Sequence, residues 1–276
     1  ILLLSDQSLR YILSLILVIA GFGVVGAVSG QFAGALIVFI LSALLFKNFT
    51  KNEPLFPGLR QLISSARRVS IKKYFGFKFW VGLDRNMGNV YMALPVILTG
   101  VYVTTAEVSF FKLAFGYMNI VLSLLGPISI LLNVEFPKIQ IEDRNQLYAN
   151  FKKVSLYSLV LSIILSTGAA VVSPFAFRIL YGEVYTPSIK YIFGLIAYGS
   201  LFGIGVGLGP MWRAINKVKV SILINSIILC AVIPSVLWLI KSYGLWGAVI
   251  MLTVWFSVSH LISFAYLMKK LNTKNG

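Results

Sequence analysis

SILINSIILCAVIPSVLWLI, residues 221–240, runs for twenty positions without a charge. A helix that crosses the hydrocarbon core of a bilayer needs about 20 mainly apolar residues, and this run supplies them. A membrane strand would instead alternate polar and apolar side chains over about 10 residues. Neither this run nor IVLSLLGPISILL at 120–132 alternates, so both read as helices. Working outward, further apolar runs lie at 11–28, 31–46, 86–106, 109–134, 154–175, 189–211 and 245–268. The expected fold is therefore an all-α membrane protein with eight transmembrane helices. The run at 31–46 is the weakest, because its length spans only roughly 24 Å at helical rise. Lys47 can lengthen it by snorkelling.

Composition agrees. Hydrophobic residues make up 58% of the 276 positions and charged residues only 12%, with a mean hydropathy of +0.89. A soluble domain carries about a quarter charged residues. One cysteine, Cys230, excludes a disulfide framework and any multi-cysteine metal site. One histidine, His260, excludes chemistry that needs paired histidines.

The 24 basic and 8 acidic residues leave a formal charge of +16. With the N-terminus placed in the cytoplasm, alternate segments collect 19 of the 24 basic residues. The opposite loops and flanks keep Lys112, Arg178, Lys190 and Lys241, and Arg85 lies at the edge of a span. This alternation satisfies the positive-inside rule and puts both ends in the cytoplasm. It also excludes nucleic acid as a partner, because a nucleic-acid binder gathers its basic charge on one face.

The one long linker lies between the second and third spans. Within it Leu59, Leu62, Ile63, Ala66 and Val69 recur at helical spacing, Arg60, Arg67 and Arg68 take other faces, and Pro57 suits a first turn. The pattern predicts a basic amphipathic helix on the inner leaflet, against the simpler reading of a solvated loop.

The hairpins Gly23-Val24-Val25-Gly26-Ala27-Val28 and Gly244-Leu245-Trp246-Gly247-Ala248-Val249 both read G-x-x-G-A-V. They take equivalent outer positions six helices apart. Turn chemistry alone favours glycine there, but the topological match points to an internal repeat of the kind transporters use. The chain opens on Ile1 in mid-pattern, so the expectation is a piece of a protein with about twelve or more spans. On that reading 1–50 is the tail of a first six-helix half, 51–75 is the cytoplasmic linker, and 76–276 is the second half.

Phe136-Pro137 ends one span, and Leu180-Tyr181-Gly182-Glu183 follows the next. Arg213-Ala214-Ile215-Asn216-Lys217 then lies in a cytoplasmic loop ahead of the Gly244–Ala248 hairpin. In this order and sidedness the residues resemble the polysaccharide flippases (O-antigen or capsule-unit translocases) of the multidrug/oligosaccharidyl-lipid/polysaccharide exporter superfamily. The resemblance implies two six-helix bundles around a central cavity, in a bacterial cytoplasmic membrane. It implies that a polyprenyl-pyrophosphate-linked oligosaccharide is flipped by alternating access, with membrane lipids, a polysaccharide polymerase and a chain-length regulator as further partners. The resemblance implies an acidic residue in the seventh span, about where Pro95 stands, and this sequence departs from it: the carboxylate that coupling to an ion gradient calls for is absent there. No other cofactor is implied.

A pyrophosphate crossing a low dielectric needs cations. An unpaired charge near the bilayer centre costs at least about 2.5–3.5 kcal/mol on insertion scales, so such residues face a cavity or a partner. Arg85 and Lys112 are the candidate substrate-binding cations, one fitted to bidentate phosphate contact and the other acting as a point charge. Snorkelling at the two interfaces is the competing reading for both. Asp84 is the candidate for ion coupling; it points about 100° away from Arg85 on a helix and need not pair with it. Asn86 and Asn89, three apart on one face, suit sugar hydroxyls. Asn133 and Asn225 read as interhelical hydrogen-bonding groups, as does His260, and Trp80, Trp212 and Trp246 as interfacial anchors. The run GIGVGLG at 203–209 lies inside an apolar span, where small-residue packing explains it.

No G-x-x-x-x-G-K-[ST] loop supplies a nucleotide-driven motor. A multidrug or peptidoglycan-precursor exporter of the same superfamily is the nearest alternative. A membrane polymerase or acyltransferase is a different class, but it calls for a sizeable outer loop, and the longest, around 175–188, offers only Arg178 and Glu183. A transporter, not an enzyme, is expected.

Overall fold

The structure, a computed structural model, describes residues 2–52, 64 and 71–272. Among the described residues all regular structure is helical. Two compact units divide the chain, Ile1–Tyr74 and Phe75–Gly276. Apart from Ser64, the amphipathic helix expected around 57–69 lies outside the described residues.

In the first unit α1 (Leu2–Leu17) and α2 (Gly23–Asn52) are joined by a π-helical turn, Val18–Phe22. Gly21 and Gly23 take φ of 92° and 51°, which a side chain would resist. Three glycines of α2 then let the helices touch. A Cβ on Gly26, Gly30 or Gly34 would strike the backbone of Leu17, Ser14 and Arg10 respectively. This stripe of small residues four apart is the packing device of membrane helices. The Ser14 hydroxyl adds a hydrogen bond to the Ala27 carbonyl at 2.8 Å.

In the second unit α3 (Ile71–Tyr102) is followed by α4 (Thr105–Leu122), whose start is closed by a Thr104–Glu107 capping box. A short 3-10 turn leads into α5 (Gly126–Glu142). α6 (Arg144–Tyr181) begins where the Asp143 carboxylate accepts hydrogen bonds from the Asn145 and Gln146 amides, and it ends at Gly182, φ 80°. After a second 3-10 turn come α7 (Ile189–Gly194), α8 (Ile196–Gly205) and α9 (Leu208–Ala214), then α10 (Val218–Tyr243) and α11 (Leu245–Asn272).

By length and composition five helical segments can cross a membrane: Val25–Phe49, Thr105–Glu142, Arg144–Tyr181, Val218–Tyr243 and Leu245–Asn272. A bent pair, Glu183–Gly194 with Ile196–Ala214, makes a sixth when taken as one span. Three expectations change. The run at 31–46 belongs to a 25-residue apolar helix and is not short. The run at 11–28 stops at the glycine turn, leaving a shorter apolar helix, Leu9–Phe22. The run at 189–211 is not one straight span but bends by 54°. Its second break, at Val206–Gly207, falls inside the glycine-rich run. The candidate at 86–106 falls mostly in α3, which is not among these segments and which carries Asp84, Arg85, Asn86 and Asn89.

The repeated hairpins share a backbone. Gly23 has φ 51° and ψ −133°, and Gly244 has φ 57° and ψ −134°. Gly26 and Gly247 sit at the same position of each motif, and a Cβ on either would meet the preceding helix's backbone, at Leu17 and Leu239.

The core of the second unit is aromatic beside a seam of small residues. α6 turns Ser155, Ser158, Ser162 and Ser166 inward, at the three- and four-residue spacing that lines one helical face. α8 meets this face with Gly199 and Gly203, and a Cβ on Gly203 would collide with the Ser158 carbonyl. Trp212, expected at an interface, is instead buried, its ring 5.4 Å from that of Tyr266.

Candidate functional site

The broken segment α7–α9 positions the site. Because the chain bends at Leu195 and breaks again at Val206–Gly207, α9 runs close to α3 and α5. Arg213 on α9 donates from Nη1 to Asn133 Oδ1 of α5 at 2.6 Å. Its Nη2 lies 3.9 Å from Asp84 Oδ2 on α3. The other Asp84 oxygen accepts from Ser221 of α10 at 2.9 Å. The Asn225 amide donates to Ser221 Oγ at 3.4 Å, and Ser259 of α11 donates to Asn225 Oδ1 at 2.6 Å. Six side chains from five helices thus form one continuous polar chain across the bundle.

This chain borders a cavity of about 250 Å³. Asp84, Ser221, Asn225, Ser259 and His260 give it polar groups, while Trp212, Trp255 and Phe256 supply aromatic walls. Its volume lies below the roughly 300–1,000 Å³ of whole-ligand pockets, so it accommodates one ring-sized polar group. Asp84 keeps 14% of its side chain exposed and Arg213 32%, so the pair is neither fully sealed nor fully solvated.

His260 closes the far end. Its ring is met edge-on by Phe256 at 5.6 Å and Phe202 at 6.4 Å. Gly205 lies so close that a Cβ there would fall 2.6 Å from His260 Cε1. The Nδ1 atom is buried without a hydrogen-bond partner. The histidine also lines a second cavity of about 220 Å³, with Ser123, Ser129 and Phe202. It stands as a partition between the two.

Of the residues expected to bind substrate or ion whose side chains are described, only Asp84 reaches this cavity. Asn86 is exposed and donates to the Gly82 carbonyl of its own helix at 2.9 Å. Asn89 is exposed on α3. Lys112 lies on α4 in a separate, largely apolar groove of about 700 Å³, with Met92, Val96 and Phe115. Arg85 is on α3, and its side chain lies outside the described residues. Asp84 pairs with Arg213, 129 positions along the chain, whose place in the sequence reads as a loop charge. Asn133 and Asn225 do bond between helices, as expected. Ser221, Ser259 and the inward turn of Arg213 carried no signal in a single sequence: each is an ordinary residue whose partner lies on another helix.

Among the described residues no three His, Cys, Asp or Glu side chains gather as a metal site would require.

Fold and site together define an all-helical, multi-pass membrane protein with a polar, partly charged cavity inside its bundle. The chain matches the polysaccharide biosynthesis protein family over residues 2–190 and belongs to that family. Its role is therefore in polysaccharide biosynthesis or export. No curated protein and no solved structure matches it. The matched segment contains Asp84 and Asn133 and stops before Arg213, Ser221, Asn225, Ser259 and His260.

Proposed function

We propose that the protein flips polyprenyl-pyrophosphate-linked oligosaccharide units across the bacterial cytoplasmic membrane by alternating access, with both ends of the chain in the cytoplasm. The observation that carries this reading is the Asn133–Arg213–Asp84–Ser221–Asn225–Ser259 chain beside a cavity inside apolar helices. Charged and amide groups are expensive within membrane helices, and where they persist they line a pathway. Membership of the polysaccharide biosynthesis protein family supports a sugar-containing cargo.

Arg213 takes the central role in this mechanism. A pyrophosphate entering beside the cavity competes with Asp84 and Asn133 for the guanidinium, whose fork suits a bidentate phosphate contact. Losing those partners loosens α9 from α3 and α5, which biases the bundle toward its other face. Asn225, Ser221 and Ser259 then offer hydrogen bonds to the first sugar. Arg85 and Lys112 are the further cations of the path, Asn86 and Asn89 extend its polar edge, and Asp84, freed from Arg213, is the group available to an ion gradient. Residues 76–276 act as one six-helix half of the transporter. A polymerase and a chain-length regulator take up the flipped unit.

In the connection around 175–188, the two charged residues, Arg178 and Glu183, pair with each other at 3.4 Å and are exposed.

The test uses the intact coding sequence. Deleting it is expected to leave complete undecaprenyl-linked units facing the cytoplasm, with the polymerising enzymes unaffected. Normal translocation with only chain length altered would overturn the reading and favour a polymerase.

A further inference from the structure

Apart from the cavities beside His260, another of about 220 Å³ lies between the start of α6, the α9–α10 turn and the end of α11. Arg144, Lys217 and Lys270 line it, with the Gln140 amide and with Ile215 and Leu271 as apolar walls. Three cations from three separate segments meet there, and among the described residues no carboxylate lines the cavity. Asp143, beside Arg144, is committed to the amides of Asn145 and Gln146 at 2.7 and 3.3 Å. Among the described ion pairs neither Arg144 nor Lys217 takes part.

Two of the cations have a local use that falls short of explaining the cluster. Arg144 Nη2 donates to the Lys270 carbonyl at 2.9 Å, capping the end of α11. That contact occupies one of five guanidinium donors and holds the fork at the cavity. Lys270 also complements the negative end of the α11 dipole. Lys217 has no such role: it is an exposed residue of the α9–α10 turn, and its helix begins there, where a positive charge is unfavourable. Asn216 before it takes φ 54°, the one positive φ at a non-glycine among the described residues. This tight turn delivers Lys217 to the cavity opposite Arg144.

We infer that this cavity binds a phosphate group, with the Arg144 fork as the bidentate contact and Lys217 and Lys270 as point charges. A phosphate answers the charge that Arg144 and Lys217 bring to the cavity, and charge-assisted bonds of this kind are about twice as strong as neutral ones. Basic pockets between membrane helices at the cytoplasmic side suit anionic lipid headgroups. The Ile215 and Leu271 walls suit the glycerol and first methylenes of such a lipid. The same cations would hold a soluble phosphate, and the experiment separates the two sources. The inference stands on this cavity alone and does not rest on the flipping reading.

The full-length protein, purified in a neutral detergent at fixed ionic strength, is titrated with dioctanoyl-phosphatidylglycerol, with dioctanoyl-phosphatidylcholine and with sodium pyrophosphate. Thermal unfolding is the readout. Saturable stabilisation by phosphatidylglycerol, weakened about tenfold in Lys217→Gln and absent with phosphatidylcholine, supports a lipid phosphate. The same response to pyrophosphate alone supports a soluble one, and a response to both supports a site that reads only the phosphate. Lys217→Gln is an exposed turn substitution that leaves the helix contacts intact, and Arg144→Lys, which keeps the charge and loses the fork, is the second variant. No saturable response, an equal response to phosphatidylcholine, or an unchanged response in both variants overturns the site.

Discussion

Two regions of the second unit are built from the same small residues and behave oppositely. In the α6–α8 seam every buried hydroxyl that bonds does so mainly to backbone. Ser162 donates to the carbonyls of Leu159 and Ser200, and accepts from the Gly203 amide. Ser166 donates to the Ser162 carbonyl at 2.7 Å. Around the cavity, Ser221 and Ser259 bond to side chains, Asp84 and Asn225. A backbone partner is fixed by the helix that carries it, whereas a side-chain partner can rotate and take a new acceptor. The seam is a structural joint, and the cavity network is the part free to exchange partners with a ligand.

The largest effect is expected from breaking the seam. Gly203→Val drives its side chain into the Ser158 carbonyl, which belongs to a helix backbone and cannot step aside. Overpacking of this kind costs about 3 kcal/mol at the upper end of its usual range. The variant should lose its monodisperse peak in detergent, or unfold well below the parent on heating. Gly209→Ala is the contrasting probe at the cavity edge. The nearest atom its Cβ would meet is the flexible end of Arg213, one turn along the same helix, at 3.5 Å. Thermal unfolding should be unchanged, or improved by up to about 1 kcal/mol as alanine replaces glycine in a helix. Equal damage from both would erase the distinction.

The second prediction sharpens the cavity side. The Asp84–Arg213 pair is long at 3.9 Å and its arginine is one-third exposed. Its coupling should therefore sit near about 1 kcal/mol, above most surface pairs and below the cost of breaking a sealed one. A double-mutant cycle with Asp84→Asn and Arg213→Gln, read by thermal unfolding, measures it. Under the proposed function each single variant should also lower flipping at least about tenfold, since 1.4 kcal/mol of lost interaction is a factor of ten. A coupling near zero would return Arg213 to the role of a loop charge.

That role is what the sequence suggested for Arg213, and the reason is physical. Membrane helices are legible because the bilayer acts as a uniform solvent: residues 221–240 announce a span without reference to any partner, and the observed helix is Val218–Tyr243. The paired hairpins were legible because glycine conformation is local, and both adopt nearly the same φ and ψ. Interior charge pairs are not local. The 189–211 run reads as one span, so Arg213 seems to emerge from the membrane. The 54° bend and the break at Val206–Gly207 instead bring it to α3. Spacing likewise put Asn86 and Asn89 on one face but could not say which face packs inward, and both are exposed. Small-residue packing was the right reading of GIGVGLG, with Gly203 against α6 and Gly205 against His260. That the same run also breaks the helix was not legible, because glycine tolerates both outcomes.

The smallest effect discriminates most finely. Ser259→Ala removes one interhelical hydrogen bond, to Asn225 at 2.6 Å. Bonds between membrane helices are worth about 0.6 kcal/mol on average, because the separated helices find other partners. Ser162→Ala removes a hydroxyl that serves the Ser200 carbonyl and the Gly203 amide together. With two backbone groups left to re-pair in a buried seam, its cost should be nearer about 1–2 kcal/mol. Thermal unfolding should therefore rank Ser162→Ala as the more damaging, while the leaflet assay should rank Ser259→Ala as the more damaging. Stability and transport would then be moved by different serines of one bundle. If a single order held in both assays, side-chain partnering would not separate the moving region from the fixed one.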